Sequence, residues 1–175
     1  GYVYAGKHQP RIDRLAEVVA GLPSVRATVV VGELEPNPSL DGIPVATGWD
    51  EALASGASTA PSAPLRLPVD APGFILYSSG TTGAPKCIVH SGAGLTLKHA
   101  VEQRLHCDVG PGDVVFYFTT CGWMMWNWLM SALACGASLV LYDGSPFHPH
   151  PERLWDLVDE LGITLFGTSA KYLDA

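Results

Sequence analysis

Two apolar runs, Gly73-Phe-Ile-Leu-Tyr77 and Cys87-Ile-Val-His90, enclose the stretch Ser78-Ser-Gly-Thr-Thr-Gly-Ala-Pro-Lys86. Short β-rich runs joined by glycine, hydroxyl and proline residues predict a strand, a tight loop and a second strand. Glycines let the backbone come close to an anion, hydroxyls and free N–H groups donate to phosphate oxygens, and a lysine brings positive charge. The stretch has the chemistry to hold polyphosphate. It is not the common nucleotide loop, which needs four residues between its glycines and then Gly-Lys-Ser/Thr opening a helix. Here Pro85 precedes Lys86 and Cys87 follows it, so no hydroxyl stands beside the lysine to hold Mg²⁺. A strand pattern also replaces the helix. On these residues alone, a Ser/Gly-rich hairpin turn without a ligand stays open as the alternative.

The chain has 175 residues, enough for one ordinary domain with a real core. With 47% hydrophobic and 15% charged residues, much of it expects burial. A net charge of −7 and the lack of a basic cluster argue against a nucleic-acid partner. Cys87, Cys107, Cys121 and Cys135 are spread too widely for a zinc site or a compact disulfide framework, which predicts four reduced thiols and a cytoplasmic protein. No basic-then-apolar leader opens the chain. Gly1-Tyr-Val-Tyr reads as an entry in mid-domain and Lys171-Tyr-Leu-Asp-Ala175 stops inside a helix start, so a piece of something longer is expected.

Ile12, Leu15, Ala16 and Val19 recur at helical spacing over 11–20, and Ala27-Thr-Val-Val-Val31 is a short buried strand. A brief strand is expected over 43–46 and a short helix over 49–54. Residues 55–72 turn to Ala, Ser, Pro and Gly, which predicts a linker between segments 1–54 and 73–175. The second segment then alternates helix (within 91–106 and starting after Gly92, 123–135, and one led in by Pro151) with strand (114–118, 138–142, 163–166). That alternation predicts an α/β fold with a mostly parallel sheet flanked by helices.

Trp123-Met-Met-Trp-Asn-Trp-Leu-Met130 is apolar nearly all round, but the run to Ala137 is 15 residues, short of the roughly 20 a membrane span needs. A plain core helix and a ligand-pocket wall are both compatible with it. Asn127 and Ser131, four apart, share one face, and a buried asparagine needs partners that a substrate oxygen could supply. The six histidines show no metal-ligand spacing. His90 alone, ending the strand after the loop, stands where a nucleotide could approach.

The order Ser78 to Lys86 is similar to the phosphate-binding signature of the adenylate-forming ligases, the family of acyl-CoA synthetases, luciferases and peptide-synthetase adenylation domains. Gly122-Trp-Met-Met-Trp-Asn-Trp128, Leu141-Tyr-Asp-Gly-Ser-Pro146 and Gly167-Thr-Ser-Ala-Lys-Tyr-Leu173 resemble the acyl-CoA synthetases of that family. The first stretch resembles most the members that activate acetoacetate. Members that activate acetate carry smaller or more polar residues there, and a histidine where Asn127 stands. The resemblance implies an interior portion of the family's large N-terminal domain. It implies that Ser78, Ser79, Gly80, Thr81, Thr82 and Gly83 hold the ATP phosphates, with Lys86 as the catalytic residue offsetting their charge. Trp123, Met124, Met125 and Asn127 would shape the acyl pocket. Tyr4-Ala-Gly-Lys7 is similar to the family's Gly-Gly-Lys/Arg segment, which makes Lys7 a CoA contact, although Ala5 stands where glycine is usual. The implied small molecules are ATP, CoA and a short carboxylic acid. The Mg²⁺ ligand, the adenine motifs and the mobile C-terminal domain with its lysine fall outside these residues. Acetate, propionate or 3-hydroxybutyrate as the acid, a P-loop phosphotransferase and a non-catalytic nucleotide-binding module are the rivals.

Overall fold

In the computed structural model, which describes residues 1–57, 63–78 and 83–174, two compact units separate. Unit one comprises Gly1–Pro64 with Phe147–Pro149; unit two comprises Leu65–Pro146 and His150–Ala175. The boundary between Pro64 and Leu65 falls inside the Ala/Ser/Pro-rich stretch.

Unit one opens with an antiparallel hairpin, β1 (Tyr2–Tyr4) and β2 (Lys7–Gln9), turned by Ala5 and Gly6 at φ 49° and 73°. Two consecutive left-handed residues match the right-handed twist of the strands, and only the glycine adopts that conformation without strain. Helix α1 (Ile12–Ala20) buries Val19 against Val30 and Ile43, with Ile12, Leu15 and Ala16 packed around them. β3 (Thr28–Val30) runs parallel to β4 (Ala46–Gly48), and α2 (Trp49–Gly56) follows. The strand expected over 43–46 therefore starts at the end of that window. Pro44 has no N–H to give a ladder and Val45 sits at φ 47°, so pairing begins only at Ala46.

Unit two carries the stretch 78–86. β5 (Pro72–Ser78) and β6 (Lys86–Ser91) form an antiparallel pair whose last rung joins Ser78 to Lys86. Ser91 then caps α3 (Gly92–Val101), its hydroxyl accepting from the Gly94 N–H at 3.1 Å. The helix expected over 91–106 does not stay α-helical. It widens into a π turn over Glu102–His106.

A three-stranded parallel sheet in the order β8–β7–β9 completes the unit, built from β7 (Val114–Tyr117), β8 (Ser138–Val140) and β9 (Leu165–Gly167). β7 is central and its side chains alternate between two cores. Val115 and Tyr117 face Leu129, Ala132 and Cys135; Val114 and Phe116 face Leu154, Leu157 and Tyr172. The first set comes from α4 (Met124–Ser131) and the 3-10 turn Ala132–Cys135, the second from α5 (Arg153–Leu161) and α6 (Ala170–Leu173). A sheet covered on both faces explains why its strands read as continuous apolar runs. Val115, Leu129 and Leu154 are at most 1% exposed, and each contributes roughly 1.5–3 kcal/mol by burial. The apolar run 123–135 is broken into α-helix and 3-10 turn, and Gly136 at φ 83° ends it. All four cysteines are free thiols.

Candidate functional site

Parallel strands point their carboxyl ends to one edge of a sheet, and open α/β sheets bind ligands at that edge. Here the edge gathers three stretches that are far apart in the chain. β7 leads to Gly122–Asn127, β8 to Leu141–Pro146 and β9 to Gly167–Ala170.

The phosphate-loop candidates are only partly described. Ser78 is half-buried at the end of β5, and Lys86 is exposed directly across the ladder from it. Gly83 has φ 152° and open space around its missing Cβ, so backbone conformation rather than crowding selects glycine there. Ser79, Gly80, Thr81 and Thr82 lie outside the described residues. Lys7 sits in unit one, exposed on β2 opposite Tyr4.

The acyl-pocket candidates meet a cavity of about 700 Å³ within unit two. Its walls come from α3 and the π turn, from β5 and β6, and from the start of α4. Met124, Met125 and Asn127 line it; Trp123, the residue before α4, is 64% exposed and does not. His90 lines the cavity too, which gives it a place beside these residues.

α3 adds side chains that residue type alone does not single out. Lys98, His99, Glu102 and His106 all line the cavity. Lys98 Nζ lies 2.6 Å from Glu102 Oε1, an i,i+4 pair whose opposite signs are readable on the expected helix. This hydrogen bond from Lys98 holds the Glu102 carboxyl below its usual range, with the Trp128 indole a smaller donor. His99 is buried; desolvation lowers its pKa, outweighing the opposing pull of Glu102. Burial pushes the Cys107 thiol up.

Gln103 escapes a reading of the sequence altogether. It is fully buried, although Leu105, two residues on, is 75% exposed. Its Nε2 donates to the Trp128 carbonyl at 2.9 Å and to Ser131 Oγ at 3.3 Å, and Ser131 Oγ donates to the same carbonyl at 2.6 Å. Ser131 therefore serves the tie between helices, while Asn127, its partner on the helix face, is left at the cavity. A glutamine in a helix carries no sequence signal for such a role.

Among the described residues no group of three or more His, Cys, Asp or Glu side chains could hold a metal ion. No helix among them is long and apolar enough to cross a membrane.

The chain is 50% identical to the acetoacetyl-CoA synthetase of Mus musculus over 175 residues, 98% of this chain and 26% of that protein. It is 43% identical over 185 residues to the malonamoyl-CoA synthetase of Penicillium aethiopicum, covering 97% of this chain and 26% of that one. The solved structure of the acetoacetyl-CoA synthetase from Streptomyces lividans superposes with a TM-score of 0.85 at 43% identity, over 99% of this chain and 26% of that chain. The α/β architecture is thus that of an acyl-CoA synthetase, and the chain spans about a quarter of the length of the curated relatives it matches. The family model for AMP-binding enzymes matches residues 3–175, and this α/β chain belongs to that family.

Proposed function

We propose that this chain is the part of an acetoacetate–CoA ligase that grips the ATP phosphates and shapes the acyl pocket. One observation carries the reading: a hairpin closed by Ser78 and Lys86 shares a compact unit with a cavity walled by Met124, Met125 and Asn127. In the first half-reaction a carboxylate oxygen of the acid attacks the α-phosphorus of ATP and pyrophosphate leaves. In the second, the thiolate of CoA attacks the acyl carbon and AMP leaves. The chain's share is positioning and charge stabilisation, on which catalysis at phosphorus chiefly relies. Ser78 to Gly83 donate to the β- and γ-phosphates and Lys86 offsets their charge. Trp123, Met124, Met125 and Asn127 shape the acid's site, and Lys7 meets the 3′-phosphate of CoA. Mg²⁺ held by ligands outside these residues would offset the charge of the phosphates. Segments 1–54 and 73–175 joined by 55–72 form the working layout, in a cytoplasmic enzyme.

Support for acetoacetate comes from the relatives' names. Acetoacetyl and malonamoyl groups both carry a carbonyl on the third carbon. Acetate, propionate or 3-hydroxybutyrate are the alternatives. Pyrophosphate exchange by the full-length protein with each acid decides: exchange driven best by acetoacetate supports the proposal, exchange driven best by acetate moves it to that acid, and ATP retained without AMP formation leaves a binding module.

A further inference from the structure

One wall of the α3–α4 cavity is charged, and acyl shaping by Met124, Met125 and Asn127 does not use it. Lys98 and Glu102 stand one helical turn apart on that wall, joined at 2.6 Å. An ammonium has three N–H donors. Glu102 takes one, leaving two, and the pair as a whole carries no net charge. From α4 comes Asn127, whose amide has no hydrogen-bond partner among the described residues. Leu95, Met124 and Met125 supply apolar and sulfur surface beside these groups. His99 lies beside them, its pKa lowered chiefly by desolvation.

The balance of donors and charge selects the ligand. A free lysine would draw a carboxylate into this end of the cavity and turn the acid away from ATP. A lysine already neutralised by Glu102 has no such field, yet it still offers hydrogen bonds to an uncharged acceptor. A carbonyl oxygen is such an acceptor, and a small methyl-bearing remainder suits the methionine and leucine walls. A methylene in the same place would take up neither of these donors, and a site that hydrogen-bonds a substrate group discriminates against analogues that lack it. We infer that Lys98, pinned by Glu102, together with Asn127, reads a carbonyl oxygen on the third carbon of the acid, so that the site prefers short 3-oxo acids to their saturated analogues. The inference rests on the ligase reading of the cavity and assigns Lys98 and Glu102 to specificity within it.

The test uses the full-length enzyme, pyrophosphate exchange, and two acids of one chain length: acetoacetate, and butyrate with a methylene at the third carbon. The unaltered enzyme is expected to favour acetoacetate in kcat/KM. Lys98→Met is expected to lower kcat/KM for acetoacetate about ten- to a hundred-fold, the scale of a hydrogen bond to a charged group, with butyrate changing less than about twofold and the KM for ATP unmoved. Lys98→Gln, which keeps a donor, restores part of the preference, and Glu102→Gln gives a smaller loss in the same direction. A Lys98→Met enzyme that keeps the acetoacetate-to-butyrate ratio, or that loses both acids equally, overturns the inference. If the unaltered enzyme exchanges pyrophosphate with neither acid, the ligase reading fails before any variant is made.

Discussion

Gln103 offers a measurement whose sign is set by counting its partners. Replacing it with Leu removes two donated hydrogen bonds, to the Trp128 carbonyl and to Ser131 Oγ. At about 0.5–1.5 kcal/mol each, that is a loss of about 1–3 kcal/mol. The carbonyl is not orphaned, because Ser131 still donates to it at 2.6 Å. The same substitution also removes Gln103 Oε1, a buried oxygen with no partner among the described residues, whose desolvation costs about 1–3 kcal/mol. The two effects oppose each other at similar size, so Gln103→Leu is expected to change stability by no more than about 1 kcal/mol. Gln103→Ala also discards the unpaired oxygen but opens a cavity at a site with no exposed surface, and about 2–4 kcal/mol of destabilisation is expected. Native-state hydrogen exchange at the amides of α4 in the full-length protein reads both values as opening free energies. If Gln103→Leu loosens α4 as much as Gln103→Ala does, the hydrogen bonds outweigh the orphaned oxygen and the reasoning is refuted.

Lys86→Ala in the full-length enzyme should slow acetoacetate-driven pyrophosphate exchange about ten- to a hundred-fold, and an unaffected rate would remove Lys86 from the phosphate site. The Asp113 carboxylate accepts from the Gly110 N–H and the Thr164 hydroxyl, both at 2.8 Å, and the first of these does most to hold its pKa below the usual value. Its contribution is therefore complete above about pH 4, near the unfolded pKa, and is lost as pH falls through the lower folded value. Asp113→Asn should flatten that acid-side slope in unfolding titrations, and an unchanged slope would contradict the assignment. Gly167→Ala would drive its new methyl into the Tyr117 ring, which also meets Trp128 edge-on at 5.9 Å. A loss of about 1–3 kcal/mol is expected from such overpacking, and an unaltered opening energy of β7 amides would show that the ring moves freely.

What could be read without coordinates depended on how local its cause was. The β5–β6 hairpin and α5 were legible because apolar period and turn residues act over a few positions: Leu154 and Leu157 are buried as their spacing demands. The 43–46 strand was misplaced because Val45 adopts a positive φ that its residue type disfavours. The π turn after Val101 answers to a tie between Gln103 and α4, 25 residues away, and no pattern within one helix announces it. At the site, the family resemblance singled out Met124, Met125 and Asn127, and these three line one cavity. Trp123 stays exposed outside that lining, and His99 emerges only from packing.

The rung between Ser78 and Lys86 has a consequence for how the candidate loop tolerates change. Both ends of the loop are moored to the same crosspiece, so the spacing of the Ser78 and Lys86 backbones is set by strand pairing. Substitutions between positions 78 and 86 that leave this rung paired keep the two backbone ends at the same spacing. Slippage of the hairpin by a single residue would instead turn one of them to the opposite face.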